Sequence, residues 1–196
     1  MPGDLTITFE GHQQLLRRFD KLPQAIREQV ATEGLTKGAM ILTAEIKRRL
    51  GGEALQVRSG RLRNSISYRL EQDRGDMVAK VGTNILYARI QEFGGTITPK
   101  RAQYLTIPTA ISKTPAGVAR YTARQLIANP SLGGFVRTFF RHHKLFGVTS
   151  TGQVRAAFIL KTSVTIPAHG YIRASINAKR DAILKILVDS LKKALG

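Results

Sequence analysis

The sequence contains no cysteine, which excludes a disulfide scaffold, a thiolate zinc site and a cysteine nucleophile. It has no apolar run near the ~18 residues that a bilayer-spanning helix needs. Its first residues, MPGDLTITFEG, lack a basic segment followed by a hydrophobic one, so the expectation is a protein made and kept in a cytoplasm-like compartment. Acid is scarce as well: 13 Asp+Glu face 31 Lys+Arg, a formal net charge of +18. Between Glu92 and Asp181 there is no carboxylate side chain, against thirteen Lys/Arg from Lys100 to Arg180. Internal ion pairs cannot neutralise such a stretch. Its counter-charges are solvent ions, nucleic-acid phosphates or acidic surfaces of a partner, with a well-solvated basic face as the plain alternative.

What is present is one domain's worth of chain, 196 residues of which 42% are hydrophobic, enough to build a core. Leu5 to Phe9 alternates apolar and polar residues and predicts a short strand, with a brief helix over about 12–21. Pro23 opens a long amphipathic helix through Ile26, Val30, Leu35, Ala39, Leu42, Ile46 and Leu50. Lys47 to Arg49 suit its C-terminal dipole, and Gly51-Gly52 ends it. Two alternating runs, Ile66/Tyr68/Leu70 and Met77/Ala79/Val81, predict a hairpin turning at Asp73 to Asp76. A short helix over 87–93 stops at Gly94-Gly95. Strands follow at 104–107 and 157–166, each closed by Thr-Ile-Pro, with a helix over 118–128 and a β-rich run over 135–148 between them. A second amphipathic helix carries Ile176, Ile183, Leu187, Leu191 and Leu195. The expected class is α+β: an antiparallel sheet packed by a long N-terminal and a C-terminal helix. Residues 1–108 and 154–196 form the expected single domain, and 109–153 an inserted basic β-rich arm.

Little in the chain supports catalysis. His12, His142, His143 and His169 are badly spaced for zinc, and the adjacent pair would point to opposite faces of a strand. There is no GxxxxGK[ST] and no GxGxxG after a strand. Asp73 and Asp76 are explained by their turn, and the basic half has no acids to group in a cleft. The reading is a non-enzyme without cofactor or metal. A basic DNA-binding protein is the alternative, since aromatics interleave with cations in Arg137-Thr138-Phe139-Phe140-Arg141. No helix-turn-helix, zinc-finger or RNA-recognition signature accompanies them.

Three blocks in order are more specific: Val57 to Ile66 (VRSGRLRNSI), Val81 to Gly95 (VGTNILYARIQEFGG) and Ile166 to Arg173 (IPAHGYIR). Their order resembles the tail-completion and neck proteins of long-tailed phages, the group called phage virion morphogenesis or minor tail proteins. His169-Gly170 departs from the Arg-Pro pair usual there. The resemblance implies a structural virion protein, assembled in the host cytoplasm into a homo-oligomeric ring, a hexamer by preference. Such a ring would sit at the head-proximal tail end or neck and enable head–tail joining. Its partners would be other copies of itself, the tail tube, head-closure or connector proteins and DNA in the lumen, with no membrane. Candidate subunit-interface residues are Arg58, Arg61, Arg63, Tyr87, Glu92, Phe93, Arg137, Phe139, Arg141 and Arg173. Glu92 either pairs with Arg58, Arg61 or Arg63 of an adjacent subunit or is an exposed surface carboxylate. On a helix, Tyr87 and Phe93 cannot face one core: one is buried and the other is left to a neighbour, or Phe93 has left the helix.

Overall fold

The structure is a computed structural model that describes residues 17, 18, 20–55, 57–73 and 76–195. The expected strand at 5–9, most of the helix at 12–21 and the tip of the turn at 74–75 lie outside the described residues. The fold is α+β, and the chain divides into two compact units.

The first unit comprises residues 1–54, 62–85 and 170–196. Helix α1, Gln24–Arg48, starts after Pro23, whose fixed φ of −52° suits a helix start and whose carbonyl accepts from the Ile26 and Arg27 amides. Its backbone then widens into a π-helical turn, Arg49–Glu53, and only Gly52, at φ 129°, breaks it. The short helix α2, Arg61–Ser65, leads into β1, Ser67–Asp73, which pairs antiparallel with β2, Asp76–Gly82. Tyr68 faces Val81, Leu70 faces Ala79 and Gln72 faces Met77. Of the anticipated apolar set, Tyr68, Leu70, Met77, Ala79 and Val81 therefore share one side of the hairpin, while Ile66 lies just before β1. The last helix, which we call α5, Tyr171–Leu195, packs antiparallel on α1.

Two glycines set that helix pair. A Cβ at Gly34 would meet the Leu187 and Ser190 side chains, and one at Gly38 would lie 3.1 Å from Ile183 Cγ2. Glycine here costs helix propensity, about 1 kcal/mol each against alanine, and returns close approach of the two backbones. The buried stripe is thus Gly34, Gly38, Ala39, Leu42, Thr43, Glu45 and Ile46. Ile26, expected in it, is exposed because the stripe begins two turns further on.

The second unit comprises residues 55–61 and 86–169. Helix α3, Ala88–Phe93, is followed by β3, Gly95–Ile97, and β4, Leu105–Pro108. Helix α4, Ala123–Ala128, precedes the hairpin of β5, Arg137–Arg141, and β6, Lys144–Val148. Strands β7, Val154–Lys161, and β8, Val164–Ile166, complete it. The main sheet runs β4-β7-β6-β5, all antiparallel, and β3 pairs separately with β8.

Residues 109–153, expected as an inserted arm, supply two strands of this four-stranded sheet. They also supply Tyr121, Ala123, Leu126, Phe135 and Leu145 to a core shared with Ala157 and Phe158. The segment is therefore a packed part of the unit, because its apolar residues bury under α4 on one side of the sheet. Phe135, 5% exposed, closes that core by lying across two glycines. A Cβ at Gly147 would overlap the Phe135 ring, and one at Gly133 would come 2.6 Å from it.

Helix α4 starts five residues later than the apolar pattern suggested. Thr122 and Gln125 form a reciprocal capping box that fixes its first turn. His142 and His143 do not alternate along a strand either. Both have positive φ, 44° and 55°, and form the two-residue turn between Arg141 and its partner Lys144.

Candidate functional site

The three sequence blocks are stitched to one another in pairs. In the first unit, Ser65 of the first block shares a 2.6 Å hydrogen bond with Thr83 of the second, and Thr83 Oγ1 also accepts from the Ile85 amide at 3.1 Å. In the second unit, Gly94 and Gly95 of the second block lie against Ile166 to Ala168 of the third. Gly95 pairs with Ile166, Thr96 reaches Thr165 at 3.2 Å, and the His169 amide donates to the Gln91 carbonyl at 3.0 Å. Gly94 has φ 70°, and a Cβ there would stand 2.7 Å from the Ala168 backbone nitrogen. Only glycine fits that clasp.

Apolar side chains crowd outward around α3. Leu86 is 97% exposed and Phe93 50%, with Tyr87 and Ile97 also exposed. Tyr87 caps α3 and Phe93 is its last residue, still helical, so neither is the buried member of the pair. Glu92, in contrast, is 4% exposed. An exposed surface carboxylate is ruled out at this position, and the sequence carried no signal for that burial.

The cations divide unevenly between the units. The second unit holds thirteen Lys/Arg and a single acid, Glu92, a net +12. All thirteen are exposed except the half-buried Lys113. Arg58 is exposed and passes over Gly117, and Arg61 is exposed at the start of α2. Arg63 is exposed later in α2, and Arg173 is exposed in the first turn of α5. Arg137, Phe139 and Arg141 share one side of β5, as their two-residue spacing requires. The structure therefore groups the ten interface candidates as two sets, the α3 residues and the β5 residues, with the four other arginines outside both.

The first unit, in contrast, pairs its charges. Glu45, 5% exposed on α1, accepts from Arg48 at 2.9 and 3.0 Å and from Arg49 at 2.9 Å, with Lys179 of α5 at 3.9 Å. Glu53 binds the same two arginines from the π-helical turn at 2.6 and 3.2 Å. The hydrogen bonds from Arg48, ahead of its charge and the Arg49 contacts, hold the Glu45 carboxyl at about 2. On the hairpin, Lys80 pairs with Glu71 and holds that carboxyl below its usual range. Among the described residues no group of three or more His, Asp or Glu side chains is placed to hold a metal, and no helix is long and apolar enough to cross a membrane.

Residues 13–94 match the model of an HK97-gp10-like family, described as "Bacteriophage HK97-gp10, putative tail-component". That span includes the first motif block and all but the last residue of the second. No curated protein and no solved structure gives a significant match to the chain.

Proposed function

We propose that the protein is a structural component of a phage tail that self-associates, as a homo-oligomeric ring at the head-proximal tail end or neck, and takes part in head–tail joining. The likeness of residues 13–94 to a phage tail component supports the tail assignment. The observation that carries self-association is the exposed apolar set at the end of that span. Leu86, Tyr87 and Phe93 present large apolar surface to water within eight residues of chain, a pattern that marks protein–protein contact. Surface complementarity is then the mechanism: apolar side chains at the interface centre supply affinity, and the cations around them set orientation. The buried Glu92 belongs to the scaffold beneath α3 in this reading, with the α3 surface as the contact itself.

The test is the mass of the full-length protein in solution and in tails purified from infected cells. Wild type should form a closed oligomer of one size, and Leu86→Glu with Phe93→Glu should yield folded monomers. A wild-type protein that stays monomeric at high concentration and in virions refutes the ring. An oligomer that the double substitution leaves intact refutes the assigned surface.

A further inference from the structure

The four-stranded sheet of the second unit has two unlike sides. On one, Leu145 and Phe158 are partners and lie in the core with Tyr121, Leu126 and Phe135. The other side follows from the pairing. Phe139 faces Phe146, and two residues further along, Arg141 faces Lys144. Lys144 in turn faces Ile159 of β7, whose neighbour on the same side is Lys161. Arg137, two residues before Phe139, completes the set. The two phenyl rings are stacked, with centroids 5.4 Å apart and planes 14° apart. Both are half-buried, while Arg137, Arg141, Lys144 and Lys161 are all exposed.

We infer that this face binds single-stranded nucleic acid, without sequence selectivity, its phosphates on the four cations and its bases against the Phe139–Phe146 pair. The charge complementarity is that of the whole unit, net +12 with Glu92, its one acid, buried. An acidic protein surface would complement the four cations but would leave the aromatic pair without a flat partner to stack on it. This face has one sign of charge only, and cations committed to phosphates carry no sequence information. A duplex presents phosphate rails and hides its base faces, leaving the aromatic centre unused. A single strand offers both phosphate and base faces, which suits cations surrounding an aromatic platform. The inference rests on the sheet alone and stands or falls independently of ring formation.

The experiment titrates full-length protein into a fluorescein-labelled oligothymidylate of about 20 nucleotides, followed by anisotropy across a salt series. A duplex of the same length and polyglutamate are run as competitors. Replacing Arg137, Arg141, Lys144 and Lys161 together by Gln should reduce the slope of log affinity against log salt by about 3, at roughly 0.7 per phosphate contact. The control replaces Arg89, Lys100, Arg101 and Arg124, removing equal charge elsewhere, and should change the slope by less than about 1. Phe139→Leu should weaken binding about tenfold with the salt slope unchanged. Phe140→Leu, one position along on the opposite side of the sheet, should leave binding as in wild type. Circular dichroism confirms that each variant folds. Equal losses from both charge sets would overturn the inference, as would duplex binding as tight as the single strand. Polyglutamate displacing the oligonucleotide at matched charge would make an acidic protein the occupant and overturn it too.

Discussion

Replacing Gly147 by alanine adds one methyl group at the place where the Phe135 ring already sits. Gly147 lies in β6 without a positive φ, so the backbone tolerates a side chain there and the penalty is steric alone. The ring has no retreat toward Gly133, which already lies so close that a Cβ built there would stand 2.6 Å from the ring's Cε2. Either the strand shifts, an overpacking cost of about 1–3 kcal/mol, or the ring leaves the core, which approaches the ~3–5 kcal/mol of a buried Phe→Ala truncation. We expect Gly147→Ala to destabilise by about 3 kcal/mol, between these limits. In a Phe135→Ala background the obstacle is gone. There the same substitution should be neutral or stabilise by about 0.5–1 kcal/mol, because alanine loses less backbone freedom than glycine in a strand. The coupling between the two sites is then about 3–4 kcal/mol, far outside the additivity of independent positions. Urea unfolding of the four proteins, followed by far-ultraviolet circular dichroism, measures it. Amide hydrogen exchange across β5–β7 assigns the loss to the second unit. A Gly147→Ala penalty below about 0.5 kcal/mol, or one equal in both backgrounds, refutes the packing argument.

Gly94→Ala combines a strained φ with an immovable backbone neighbour. It should cost at least about 3 kcal/mol and loosen hydrogen exchange in β3 and β8, and wild-type protection there would contradict the clasp. Glu45→Gln should destabilise by about 1–3 kcal/mol at neutral pH, since it removes charge-assisted bonds to Arg48 and Arg49. The Glu45 carboxyl titrates at about 2 in the fold against an ordinary 4.5, so its contribution is complete above 4.5 and fades as pH falls toward 2. The gap between wild type and variant in a pH series of unfolding midpoints should close over that window, and a constant gap argues against the carboxylate network. Replacing His142-His143 by Asn-Gly relieves two positive-φ residues at the loss of the Tyr104 edge contact on His143, 5.5 Å between centroids. A net gain of about 1 kcal/mol is expected, and a lowered thermal midpoint would refute the turn assignment.

The sequence carried the long-period features openly. Helices α1 and α5 and the β1–β2 hairpin follow from apolar spacing, and Gly94-Gly95 marked the end of α3. Three things were harder to read for physical reasons. The Thr122-to-Gln125 capping box was present as a signal, and it outweighed the apolar residues upstream that suggested an earlier start. The His142-His143 turn carries neither Asn nor Gly, so local propensity points away from it and only pairing of the flanking strands enforces it. The clasp between Gly94 and Ala168 joins residues more than 70 positions apart, which no local pattern encodes. Of the interface candidates, the Arg137, Phe139 and Arg141 alternation correctly marked one side of a strand. That Lys144, Phe146 and Lys161 extend the same side depends on the turn and on the bulge opposite Leu145 and Phe146. Both are set by strand pairing and not by local residue pattern.

The close packing of α5 on Gly34 and Gly38 has a consequence for the order in which the molecule is made. The two helices are separated by 122 residues of chain, about 6–24 s of translation at ~5–20 residues/s. Throughout that interval the glycine-lined stripe of α1 has no α5 to cover it, and by its end all of the second unit's chain has been synthesised. The later-numbered sheet can therefore fold during synthesis, whereas the helix pair closes only afterwards. A chain ending at residue 169, tethered to a stalled ribosome by a flexible linker long enough to clear the exit tunnel, should carry a protease-resistant second unit and a protease-sensitive α1.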